Sequence, residues 1–72
     1  MSVFSERMKA MRIACDLTQD KLGEKLGMPG RRVRMYENGE QEPSVMRAAA
    51  IARALETSLD YLAGLKDEED SQ

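Results

Sequence analysis

Apolar side chains recur along this chain at the spacing of helices, and β-branched residues are few. The first apolar stripe has intervals of four, three and four residues and consists of Phe4, Met8, Met11 and Cys15. Residues at this spacing share one helix face, so a first helix is predicted to begin near Ser2 or Ser5. Asp16 is expected to end this helix, because Asp tolerates the left-handed turn that closes many helices.

The next two helices are delimited by their capping residues. Thr18 is a strong N-cap for a second helix, and Gly27 supplies the left-handed residue that ends it. A third helix is expected from positions 29–30 to the Asn38-Gly39 pair, which is a strong stop signal. The residues expected to point inward from these two helices are Leu22, Leu26, Val33 and Tyr36.

Two further helices complete the predicted fold. Pro43-Ser44 opens a fourth helix, and Ser58 caps a short fifth helix that Gly64 closes. The residues expected on their buried faces are Val45, Ala48, Ile51, Ala52, Leu55, Leu59 and Leu62. The chain is therefore predicted to be all-α, with five helices around one small core.

Composition narrows the class of protein. The chain has 72 residues, one cysteine and no histidine, so neither a disulfide framework nor a His-based catalytic or zinc site is expected. No apolar run approaches the ~20 residues that span a bilayer, and the N-terminus lacks the apolar segment of a signal peptide. We expect a soluble, cytoplasmic, single-domain protein over residues 1–65, with a disordered acidic tail over residues 66–72.

The charge is distributed unevenly between the two halves of the chain. The net charge of −2 and the pI near 5.1 argue, taken alone, against a nucleic-acid partner. However, residues 1–35 hold eight Lys and Arg against four acids, whereas residues 36–72 hold three against nine. Such asymmetry indicates an anionic partner for the basic half, although solvated faces on both halves are the simpler interpretation.

A helix-turn-helix spacing lies in the basic half, between Gln19 and Asn38. Gly23 supplies a small residue where the two helices must cross closely, and Gly27 supplies the left-handed turn between them. The apolar positions that would lock the helices together are Leu22, Leu26, Met28, Val33 and Tyr36. This arrangement is typical of a unit that presents its second helix to the major groove of DNA.

Matching segments on both sides of this unit extend the similarity. They include S-E-R-M-K-A-M-R before it, V-R-M-Y-E-N-G at its end, and E-P-S and S-L-D-Y-L-A-G after it. With these segments the chain resembles the Cro/repressor-type (XRE-like) helix-turn-helix family from about Ser5 to Gly64. The resemblance implies a compact lambda-repressor-like domain that regulates transcription, as a repressor bound to a palindromic operator with helix 30–38 in the major groove of double-stranded DNA.

The outward side of the third helix follows from a rotation of 100° per residue. This rotation predicts that the outward arc consists of Gly30, Arg31, Arg34, Met35 and Asn38, with Arg32 on a flank. We predict that Arg31 reads a base, because arginine can bond guanine O6 and N7 together. Met35 and Arg34 are the further candidates for base contacts, Met35 to a thymine methyl group. Arg32, with Arg34 as the alternative, is expected to hold a phosphate.

The resemblance implies further roles at the two ends of the motif. Gln19 and Asn38 would clamp the DNA backbone on either side of the groove, with Thr18 as a neighbouring phosphate contact; the alternative is that Gln19 is an ordinary polar residue. Glu37 lies inward at a helix C-terminus, where an acid is unfavourable. The resemblance supplies Arg12 as its partner in a partly buried ion pair, and the alternative is a solvated Glu37.

A two-fold dimer contact is the other property that the resemblance implies. The candidates around the last helices are Met46, Leu62 and Leu65, each expected to be partly exposed. We expect a homodimer that binds half-sites about one helical turn apart. The alternative is a monomer with scattered surface apolar residues, which are common.

Three departures from the family pattern affect these expectations. Positions 29–30 hold Pro and Gly where polar residues usually reach the bases, so base contacts must begin at the following residue. The loop after the third helix carries Glu40 and Glu42 where basic residues often hold phosphates, so backbone N–H groups would have to do so, or the contact is weak. Glu56 stands where a glycine usually ends the fourth helix, and Thr57 replaces an apolar residue.

Two other classes of function were weighed. An enzyme is not expected, because Glu37, Glu40 and Glu42 come without a metal-ligand set or a nucleophile–base pair, and Cys15 lies on the apolar stripe. No cofactor, metal or small-molecule ligand is expected either. The stronger alternative is a protein-interaction module on the same fold, antitoxin-like or an anti-regulator, which the acidic second half would suit.

Overall fold

The computed structural model describes residues 2–68 and contains five helices. They are α1 (Val3–Ala14), α2 (Gln19–Leu26), α3 (Gly30–Glu37), α4 (Val45–Ala54) and α5 (Leu59–Leu62). Residues 2–68 contain no strand, so the prediction of an all-α, five-helix fold is confirmed. No helix within this range is long and apolar enough to cross a membrane.

Hydroxyl side chains cap four of the five helices. The side chains of Ser2, Thr18, Ser44 and Ser58 each accept a hydrogen bond from the backbone N–H three residues later, at 3.0–3.1 Å. Each bond satisfies one of the N–H groups that a helix start leaves without a partner. Pro29 precedes α3 and provides no side-chain cap, so the start of α3 depends on its packing.

The core is built from apolar residues of all five helices. Its buried members are Met8, Met11, Leu22, Val33, Tyr36, Ile51, Ala52, Leu55 and Leu62. Val45 was predicted to be buried but is 73% exposed, because it is the first residue of α4 and precedes the part of the helix that enters the core. Leu62 was predicted to be partly exposed at a dimer contact but is fully buried, because α5 turns this side chain into the core.

Two glycines allow α2 and α3 to approach closely. A Cβ atom on Gly23 would overlap the carbonyl oxygen of Met28 and lie 3.1 Å from the backbone nitrogen of Gly30. A Cβ atom on Gly30 would overlap the Asp20 carboxylate and lie 3.0 Å from the Asp20 Cα atom. Gly30 therefore faces α2, which corrects its assignment to the outward arc and explains why this position lacks a polar side chain. Gly27 makes the turn between the helices with φ +70°.

The connections after α1 and α4 contain left-handed residues other than glycine. Asp16 has φ 60°, as predicted, and Glu56 has φ 58° at the position where the family usually has glycine. A left-handed conformation costs a residue with a Cβ atom about 1–2 kcal/mol. Next to Glu56, the Thr57 hydroxyl is buried without a hydrogen-bond partner. The α4–α5 connection thus combines two unfavourable features.

The chain that follows α5 is held against α1 by Arg7. Its Nη1 atom donates hydrogen bonds of 2.7 Å to the carbonyl oxygens of Tyr61 and Lys66. The guanidinium also stacks over the Tyr61 ring, 4.3 Å from its centroid, and lies 3.8 Å from an exposed Asp67 carboxylate oxygen. Lys66 and Asp67, which were expected to belong to the disordered tail, therefore contact the domain. Positions 69–72 of that tail lie outside the described residues.

Replacing Thr57 with Val should stabilise the protein. The substitution removes the buried hydroxyl that has no partner and keeps the branched shape, so we expect the free energy of unfolding to rise by about 1 kcal/mol in urea titrations. Thr57→Ser is the control, because it keeps the hydroxyl and should give no gain. A Thr57→Val variant that is no more stable than the parent would show that the hydroxyl is satisfied in solution.

Candidate nucleic-acid interface

The exposed side of α3 carries three arginines. Arg31, Arg32 and Arg34 are exposed. Met35 is half-buried, so it lies at the border between the exposed and the buried side of α3. Among residues 2–68, no hydrogen-bond or ion-pair partner contacts any of the three guanidinium groups. Arginine forms charge-assisted and often bidentate hydrogen bonds with phosphates and guanine edges, so this surface is available to an anionic partner.

A buried ion pair joins the C-terminal end of α3 to α1. Arg12 Nε lies 2.6 Å from Glu37 Oε2, and Arg12 Nη2 donates to Glu37 Oε1 at 3.2 Å. The Arg12 side chain is 12% exposed and that of Glu37 is 1% exposed. Arg12 Nη1 also donates to the carbonyl oxygen of Leu17 at 2.8 Å. The pair that the resemblance implied is therefore bidentate and connects three segments of the chain.

Gln19 takes part in the same network. Its Nε2 atom donates to Glu37 Oε1 at 3.2 Å, so one end of its side chain is fixed at the start of α2. The Thr18 hydroxyl oxygen accepts from the backbone N–H of Lys21 and thereby caps α2. The Gln19 amide retains a second N–H hydrogen, and the Thr18 hydroxyl retains its O–H hydrogen. The proposed phosphate contacts of Thr18 and Gln19 therefore remain predictions that this geometry allows.

The loop after α3 uses its backbone N–H groups internally. The N–H groups of Asn38 and Gly39 donate to carbonyl oxygens in the last turn of α3, at 2.9 and 3.2 Å. Those of Glu40 and Gln41 both donate to the carbonyl oxygen of Met35, at 2.9 and 3.4 Å. The alternative that these groups hold a phosphate in place of basic side chains is therefore not supported. The Asn38 side-chain amide donates to Glu40 Oε2 at 3.3 Å.

A second exposed surface lies around the N-termini of α1 and α4. Met46 and Leu65, two of the predicted dimer residues, are 80% and 77% exposed. Leu65, Val3 and Val45 border a groove of about 860 Å³. Met46 does not border the groove but directly follows Val45 in α4, and we call the groove together with Met46 the apolar surface. Sequence reasoning missed Val3 and Val45 here, because the helical stripe pattern assigned Val45 to the core and gave no role to Val3.

A family comparison agrees with this geometry. The family model described as "Helix-turn-helix" matches residues 8–62. The chain belongs to the helix-turn-helix family. Its members include the uncharacterized HTH-type transcriptional regulator YobD of Bacillus subtilis, which is 31% identical over 68 residues. The match covers 94% of this chain and 61% of YobD, and the chain spans between 52% and 61% of the curated relatives it matches.

Solved structures similar to this helix-turn-helix domain include a repressor and part of a larger enzyme. The phage P22 c2 repressor, solved with the synthetic operator 9T, is 31% identical with a TM-score of 0.79, covering 86% of this chain and 94% of that one. Hydroxypropylphosphonic acid epoxidase from S. wedmorenis is also 31% identical, with a TM-score of 0.80 over 85% of this chain. That match covers 32% of the epoxidase, so the similarity concerns only one part of the enzyme.

Replacing Glu37 with Ala should strongly destabilise this helix-turn-helix domain. Without Glu37, the nearly buried Arg12 guanidinium loses two hydrogen bonds and its counter-charge, so we expect a loss of about 3 kcal/mol in urea unfolding. Glu24→Ala is the matched control, because Glu24 is 69% exposed and lies 3.9 Å from Lys21, and it should change stability by less than about 0.5 kcal/mol. Equal midpoints for the two variants would contradict a structural role for the buried pair.

Proposed function

We propose that this chain binds double-stranded DNA in a sequence-specific manner and represses transcription in the cytoplasm. The observation that carries the proposal is the set of three exposed arginines without partners on a helix whose opposite side is fixed to α1 by the Arg12–Glu37 pair. A rigid helix can place its side chains against base edges in the major groove, whereas a mobile helix would lose affinity through ordering. The similar P22 c2 repressor was solved in complex with a synthetic operator, which supports DNA as the partner of this chain.

The proposed contacts divide into reading and positioning. Arg31, Arg34 and Met35 would meet base edges, and a bidentate Arg31–guanine contact would discriminate by about 1–3 kcal/mol. Arg32 on the flank would hold a phosphate and set the register. Thr18, Gln19 and Asn38 would contact phosphates at the two ends of the motif. No catalytic step is assigned to the chain.

The apolar surface supports the proposal of a homodimer on a palindromic operator. Met46, Leu65, Val3 and Val45 are all exposed, and burying them against a second copy would remove a large part of the exposed apolar area. A two-fold dimer would bring two α3 helices to half-sites about 34 Å apart along the duplex. Leu62 is fully buried and does not belong to this surface.

A protein partner is the second candidate for the apolar surface. Glu42 and Asp60 border the groove, and none of the residues within 2–68 that line it is basic. Two copies facing each other would bring these acids close together, whereas a basic, apolar segment of another protein would neutralise them. This charge pattern favours the protein-interaction alternative as a role in addition to DNA binding or in its place.

DNA titrations test the proposed function directly. We expect the protein to bind duplexes selected from a random pool, with an affinity that falls steeply between about 50 and 200 mM salt as counterions are released. Arg31→Ala should weaken binding by about tenfold or more and relax the preference at one base pair of each half-site, measured by repeated selection. If the parent protein shows no binding at either salt concentration, the protein-interaction module is favoured. If Arg31→Ala selects the same DNA sequences as the parent, Arg31 does not read a base.

Substitutions on the apolar surface test the homodimer. A Met46→Glu, Leu65→Glu double variant should bind a palindromic duplex about tenfold more weakly and without cooperativity, while its affinity for a single half-site stays the same. Ile13→Glu is the control, because Ile13 is also exposed but neither borders the groove nor belongs to the predicted dimer residues. If the double variant keeps parental cooperativity in anisotropy titrations, the dimer contact lies elsewhere.

A further inference from the structure

The loop that follows α3 places an acid beside a proposed phosphate contact. Glu40 is exposed, and its Oε2 atom accepts a hydrogen bond of 3.3 Å from the Asn38 side-chain amide. The backbone N–H groups of residues 38–41 are all used within the protein, so in this segment the side-chain amides of Asn38 and Gln41 are the donors that can turn to a new acceptor, and the Asn38 amide is the one proposed to contact a phosphate. In the free protein that donor is already directed at a carboxylate.

We propose that Glu40 is an affinity-limiting residue of the DNA interface, because its carboxylate competes with a DNA phosphate for the Asn38 amide. This inference rests on the proposed function. The Asn38 amide has two N–H hydrogens, so a phosphate that accepts the second one would lie beside the Glu40 carboxylate, which accepts the first. The two anions repel each other at this distance, so DNA binding is weakened unless the carboxylate moves away from the approaching phosphate.

The backbone geometry keeps Glu40 at this position. Its N–H donates to the carbonyl oxygen of Met35 at 2.9 Å, and Gln41 donates to the same oxygen at 3.4 Å. Gly39 supports this turn with φ +76°. The carboxylate can rotate about its side-chain bonds, but its backbone is held against the end of α3. The negative charge therefore stays within a Debye length, about 10 Å at 0.1 M salt, of any phosphate that Asn38 contacts.

The other end of the motif behaves differently. Gln19 also donates to a carboxylate, that of Glu37, but this acid is 1% exposed and its charge is balanced by Arg12. Among the described residues, no cation pairs with Glu40. Its uncompensated charge acts on every DNA sequence alike, so Glu40 lowers affinity in general and leaves sequence preference to the arginines of α3.

Charge-neutralising substitutions in the loop test the inference. Glu40→Gln and Glu42→Gln remove the same charge from the same exposed loop, but no hydrogen bond joins Glu42 to Asn38. Each variant is titrated by anisotropy against a random-sequence duplex of half-site length, because the effect is independent of sequence and because one bound copy excludes dimer contacts at the groove that Glu42 borders. We expect Glu40→Gln to raise affinity about fivefold near 0.1 M salt and to steepen the salt dependence by about one counterion. Glu42→Gln should raise affinity less than about twofold, with an unchanged slope.

A double-mutant cycle with Asn38→Ala isolates the pairwise competition. In the Asn38→Ala background, where the amide is absent, Glu40→Gln should raise DNA affinity by no more than Glu42→Gln does. Urea unfolding of the variants checks that stability does not account for the changes. Equal gains for the two glutamates, or a gain of Glu40→Gln that persists in the Asn38→Ala background, would overturn the inference while the proposed function stands. If the parent binds no duplex at either salt concentration, the proposed function fails and the inference with it.

Discussion

The buried pair between Arg12 and Glu37 is the interaction on which the arrangement of this domain depends. α3 has eight residues and no side-chain cap, so it is too short to persist without tertiary contacts. Val33 and Tyr36 attach it to the core through non-directional packing, whereas the bidentate pair fixes one orientation. Gln19 joins the same carboxylate, so one acid links α1, α2 and α3. Because this network fixes the orientation of α3, it also determines where the exposed arginines of α3 lie.

The close crossing of α2 and α3 is the second constraint, and it has a functional consequence. Gly23 and Gly30 lack the two Cβ atoms that would separate the helices, and Gly30 faces α2 instead of the outward side of α3. The first residue of α3 is therefore used for packing, and the proposed base contacts start at Arg31.

Basic and acidic side chains are separated over a few residues, between α3 and the loop that follows it, and not only between the two halves of the chain. The exposed arginines of α3 have no acidic partners, while the adjoining loop carries acids without cationic partners among the described residues. A domain with a net charge of −2 can therefore present a locally basic surface. The acids next to it weaken the sequence-independent attraction to DNA and make the arrangement of individual arginines more important.

Local signals in the sequence determined the helices, because caps, left-handed stops and apolar stripes act over a few residues. Thr18, Gly27 and Ser58 perform the roles that their chemistry predicted, and the helical rotation correctly placed the arginines of α3 on its exposed side. Tertiary structure decided what depends on neighbouring elements. It buried Leu62, exposed Val45, turned Gly30 toward Asp20 and directed the Gln19 and Asn38 amides to carboxylates. Helical periodicity gives the direction of a side chain about the helix axis, but only the packing of the helices determines which groups that side chain contacts.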